Sequence, residues 1–63
     1  MCESAVFILK GSEKTMVMPE AARILVSGDS VICIDTLGER KTIENARIAE
    51  ANLLNHEILL RPR

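Results

Sequence analysis

Turn-forming clusters interrupt this chain roughly every eight residues, a spacing that leaves room for short strands and little else. They are Lys10-Gly11-Ser12-Glu13, Ser27-Gly28-Asp29, Thr36-Leu37-Gly38 and the stretch holding Asn52 and Asn55. The runs between them are β-branched and apolar. Ala5-Val6-Phe7-Ile8-Leu9 lies within a first strand expected over Glu3–Lys10. It is continuous rather than alternating, which implies that both of its faces are covered. A second short strand is expected over Lys14–Met18. Pro19 should end it, because proline has no amide hydrogen to give to a ladder. Glu20-Ala21-Ala22 could then make one helical turn, with Pro19 suited to its first position.

Arg23–Val26 and Ser30–Asp35 flank a Gly-Asp turn and read as a β-hairpin. Gly38 is available for a positive φ in the next loop. Lys41–Glu44 is strand-like. Asn45 to Leu54 is ambiguous: alanine and glutamate favour a helix, but the apolar spacing fits one poorly, and a strand or irregular edge is the reading adopted. A last strand is expected over His56–Leu60, followed by the tail Arg61-Pro62-Arg63. The sum is roughly five to seven short strands, an all-β chain forming a small SH3- or Sm-like barrel.

At 63 residues the chain has room for one domain, expected over 1–63. So short a chain buries only about 60% of its unfolded surface, and its core is marginal. Such scaffolds usually need a disulfide, a metal or a partner subunit. The two cysteines allow at most one disulfide. The N-terminal apolar run is too short, and too acidic at its start, for a signal peptide. No stretch has the length of a membrane span. A reducing cytoplasm with free thiols is therefore expected, which leaves self-association, a homodimer, as the staple. Pairing across a two-fold axis would also cover edge strands.

Charge and aromatic content narrow the function. The net charge is −1 and Phe7 is the one aromatic residue, so neither a basic stripe nor a stacking platform for bases can be assembled. Arg40-Lys41 and Arg61/Arg63 are small basic groups. Asp29, Asp35 and Glu39 flank turns, where carboxylates cap and solvate. Gly11, Gly28 and Gly38 are isolated, so there is no phosphate loop. His56 is the single histidine, and no serine sits in a nucleophile elbow. A chain this small rarely holds a substrate-sized pocket. An enzyme is not expected.

Cys2 carries the chemistry. With Met1 in place, the α-amine, the Cys2 amide and the Cys2 thiolate form two fused five-membered chelate rings on one metal ion. If Met1 is removed, the Cys2 amine and thiol form one ring, with the Glu3 amide next along. A deprotonated amide is a strong-field ligand and favours a square plane, and nitrogen-rich sites with thiolate select Ni(II) or Cu(II) over zinc. One chain gives too few donors to close such a site. Two N-termini meeting at a two-fold axis give two thiolates and at least two nitrogens, which complete the plane. Cys33 lies mid-strand, sharing a face with Val31 and Asp35, and is expected to pack as a small hydrophobe. His56 is expected to be a solvated turn residue, with a further metal ligand as its other reading. With no Cys-x-x-Cys and no Cys/His cluster, a closed zinc site within one chain is not expected.

Met1-Cys2-Glu3 before an apolar strand, the Ser27-Gly28-Asp29 turn, the Leu37-Gly38-Glu39 loop and Leu53-Leu54-Asn55-His56-Glu57-Ile58 together resemble the CooT-type small nickel-binding proteins. The resemblance covers nearly the whole chain, and the Met-Cys start is its most specific element. It implies a homodimer of small β-barrels that binds one Ni(II) between subunits through Cys2, in a family whose founding member is linked to nickel supply for carbon monoxide dehydrogenase. The only metal residue it transfers is Cys2; it assigns no role to Cys33 or His56. Two alternatives follow: a small RNA-binding barrel, a label the family has also carried, and a metal-independent module that docks on a nickel enzyme or its maturation factors.

Overall fold

A computed structural model describes residues 3–63. Six strands form one sheet: β1 (Ser4–Lys10), β2 (Glu13–Ser27), β3 (Ser30–Asp35), β4 (Arg40–Ile43), β5 (Ala46–Asn52) and β6 (Glu57–Pro62). Their order is β4-β3-β2-β1-β6-β5. All neighbours are antiparallel except β1 and β6, which run parallel. The strands β4 and β5 stand at opposite ends of this order, yet only Glu44 and Asn45 separate them in sequence. Two residues cannot span a flat six-stranded sheet, since strands lie about 4.8 Å apart. The sheet therefore curls into a half-barrel. At the corner where its ends approach, the Ala46 amide donates to the Asp29 carbonyl at 2.9 Å.

The all-β expectation is met, with two corrections in β2. Pro19 does not end a strand, and Glu20-Ala21-Ala22 is extended rather than helical. Both follow from where β2 changes partner. Ala21 pairs with Ser4 on one side and with Asp35 on the other. A helical turn there would break both ladders. Between the Ser4–Ala21 and Val6–Met18 pairs, β2 spends one residue more than β1, a bulge that contains Pro19. Proline is tolerated in strands at such bulges, where no ladder bond asks for its missing hydrogen. The two short strands read around Pro19 are thus one bent strand of 15 residues.

Elsewhere the boundaries shift less. The β2–β3 hairpin closes on Ser27–Ser30, with Gly28 at φ 58°, a conformation that glycine takes without steric cost. Gly38 sits at φ 87° in the β3–β4 loop. The ambiguous Asn45–Leu54 stretch holds an edge strand, β5, bulged between Ile48 and Glu50. Asn45 itself is a turn residue at φ 54°. The tail is also corrected: Arg61 and Pro62 continue β6, opposite Arg47 and Ala46.

The core fills the concave side. Val6, Val31, Cys33 and Leu60 are fully enclosed, with Val17, Met18, Ala21, Ala46 and Ile58 around them. Each large apolar side chain buried there contributes about 1.5–3 kcal/mol.

Candidate metal centre

Met1 and Cys2, the chelating pair expected from sequence, lie outside the described residues. What is described is the frame that follows them. Ser4 opens β1 against Ala21 of β2. One residue on, the Ala5 amide donates to the His56 carbonyl at 2.9 Å, and Ala5 pairs with Glu57 at the start of β6. β1 is thus held on both sides within three residues of Cys2. The turn that presents His56 has its own lock. The Asn52 side-chain oxygen accepts from the Asn55 amide at 3.1 Å, and His56 follows at φ 54°. Histidine is among the residue types that tolerate this left-handed region.

The other candidate donors are dispersed. Among the described residues, no three His, Cys, Asp or Glu side chains converge on a point that could hold a metal ion. Cys33 is fully buried in the core, as its mid-strand position implied. Burial pushes its thiol above the ordinary value, and the nearby Lys41 ammonium opposes that only in part. A protonated, enclosed thiol is a poor metal ligand. Asp35 is engaged locally, its Oδ1 accepting from the Leu37 and Glu39 amides at 2.9 Å each. Asp29 pairs with Arg63 Nε at 3.4 Å. His56 is exposed in its turn, as expected, and the parallel β1–β6 pairing brings its backbone beside the start of β1. That proximity has no local sequence signal, because it depends on the last strand inserting next to the first.

The basic groups are also dispersed. Arg40 and Lys41 stand on edge strand β4, where the Lys41 ammonium donates to the Val17 carbonyl at 3.1 Å. Arg47 and Arg61 face each other across β5 and β6.

Of the side-chain donors weighed from sequence, Cys33 thus lies in the core and His56 in an exposed turn. The family model described as CO dehydrogenase accessory protein CooT matches residues 1–61, a span that includes Met1-Cys2 and His56. The chain belongs to the CooT family. A crystal structure of a protein described as CooT, from Carboxydothermus hydrogenoformans, has the same fold. It superposes with a TM-score of 0.88 at 26% identity, covering 98% of this chain and 98% of that one. No curated protein matches the chain. Among the described residues of this CooT-family chain, no helix is long and apolar enough to cross a membrane.

Proposed function

We propose that the chain is a cytoplasmic Ni(II)-binding homodimer, a metallochaperone that handles nickel for a carbon monoxide dehydrogenase or its maturation factors. The observation that carries this reading is membership of a family described as CO dehydrogenase accessory protein, over a match that includes Met1-Cys2. The metal is cargo. The Cys2 thiolate and the nitrogens at the chain start are the donors, contributed by both subunits. Two findings support that assignment. The second thiol, Cys33, is enclosed in the core, and the strand that follows Cys2 is held on both sides at Ser4 and Ala5.

The frame has a clear part in such a site. Anchoring of Ser4 and Ala5 between β2 and β6 restricts where the chelating residues can reach, which lowers the entropy lost on binding. Nickel itself supplies affinity for thiolate and deprotonated amide. Both ligands must lose protons first, so affinity rises with pH. Native mass spectrometry of the untagged protein tests the reading in one measurement. The expected species is a dimer carrying one nickel ion. A monomer that takes up no nickel would overturn it.

A further inference from the structure

The apolar run of β1 has two faces, and only one is used by the core. Val6 pairs with Ile58 and Ile8 with Leu60 on the concave side. Phe7 pairs with Leu59 in β6 and with Met16 in β2, and these side chains point the other way. Leu9 continues the same outer row. Phe7, Leu9 and Leu59 are partly exposed, and Met16 is 51% exposed. The cover over this row is thin. Lys14 lies across Phe7, its ammonium 4.5 Å from the ring centre and 3.2 Å from Glu57. A part-exposed ion pair of this kind is screened by solvent and opens easily.

Beside the apolar row, Arg47 and Arg61 stand directly opposite each other on the same outer face. Like charges in this position destabilise a sheet. Neither arginine has an ion-pair partner among the described residues. An anionic group between them would relieve the repulsion and accept from two guanidinium groups at once.

We propose that this outer face, with Phe7, Met16 and Leu59 as its apolar floor and Arg47 and Arg61 as its charged corner, docks an apolar patch edged by carboxylates on a protein partner. The inference rests on the accessory reading above and adds the surface used. A protein surface fits better than a nucleic acid. A phosphate backbone offers nothing apolar to lay over Met16 and Leu59, and the one aromatic side chain is already covered by Lys14. Basic corners next to apolar floors give specificity and faster association with acidic partners.

The test uses the untagged protein, immobilised carbon monoxide dehydrogenase as the probe, and surface plasmon resonance. Met16→Glu, and Arg47→Glu with Arg61→Glu, should each weaken binding about tenfold or more. Arg47→Lys with Arg61→Lys should retain most of it. All variants should keep wild-type circular dichroism and nickel content. Variants that bind the enzyme as tightly as wild type would overturn the docking surface and leave the accessory reading standing. A nickel-loaded wild type with no affinity for the enzyme would overturn the docking surface and the delivery step together. Conversion of Met16→Glu from dimer to monomer on sedimentation would assign the face to a second copy. Salt-dependent binding of a single-stranded RNA oligonucleotide, lost with both arginines, would assign the corner to phosphate and overturn the proposal.

Discussion

Cys33 and Lys41 stand directly opposite each other on β3 and β4, and the two side chains have opposite fates. The thiol is sealed in the core, while the ammonium spans to β2 and bonds the Val17 carbonyl at 3.1 Å. Val17 falls in the β2 bulge between the Phe7–Met16 and Val6–Met18 pairs. A carbonyl released from the ladder by a bulge is thus satisfied by a lysine from two strands away.

The buried thiol predicts an alkaline weakness. Its folded-state pKa lies above the reference value of 9.0 because burial disfavours the thiolate. The stability this contributes is full below the unfolded value and declines as pH rises beyond it. Urea titrations across the alkaline range should show wild type losing stability above pH 9.0, with that component absent in Cys33→Ala. At neutral pH, Cys33→Ala should cost about 1 kcal/mol and leave nickel stoichiometry unchanged.

Cys2→Ser should abolish nickel binding and leave the dimer intact. A serine hydroxyl stays protonated near neutrality and is a hard ligand. The readout is a sulfur-to-nickel charge-transfer band in the near ultraviolet, present in wild type and missing in the variant. An N-terminal extension displaces the amine and should weaken binding with every side chain in place. Full nickel binding by both proteins would remove the chelate from consideration.

His56 contributes its carbonyl, not its ring, to the anchor on Ala5. His56→Gly should therefore lie within about 0.5 kcal/mol of wild type, since relief of the positive φ and the added chain entropy nearly offset each other. Nickel content should not change. Nickel loss in His56→Gly, at unchanged thermal stability, would make the imidazole a ligand.

Leu60 is fully enclosed and belongs to the last strand. Leu60→Ala should cost about 2–5 kcal/mol. A chain this small has little more than that to lose. Chemical denaturation should place the variant near its unfolding midpoint before denaturant is added, with nickel shifting it back toward the folded dimer by mass action.

Local chemistry was legible in the sequence wherever a residue type dictates it. The Gly28 turn, the Gly38 loop, the β2–β3 hairpin and the packing of Cys33 all follow from short windows. Pro19 misled because its usual effect assumes a regular ladder, and a bulge removes that assumption. The helical turn at Glu20–Ala22 failed for a related reason: Ala21 is claimed by Ser4 and by Asp35, and neither lies close to it in sequence. The tail at Arg61 and Pro62 became strand because β5 supplied partners. As for the site, the donor chemistry proposed at Cys2 rests on residue types alone, and Cys2 lies outside the described residues. The place of His56 beside β1 could not be, because no local pattern encodes a parallel pairing between the first strand and the last.

That pairing has a consequence for the order of events during synthesis. Of the six strands, β1 leaves the ribosome before all the others, but one of its edges waits for β6, the sixth in order. The segment just after Cys2 therefore stays without its His56 anchor until His56 and β6 have emerged. A chain still short of β6 carries the cysteine without the β1–β6 pairing that follows it. If Cys2 takes nickel as proposed, secure capture would wait for the pairing of β1 with β6, so that cargo is not committed to a chain that has yet to fold.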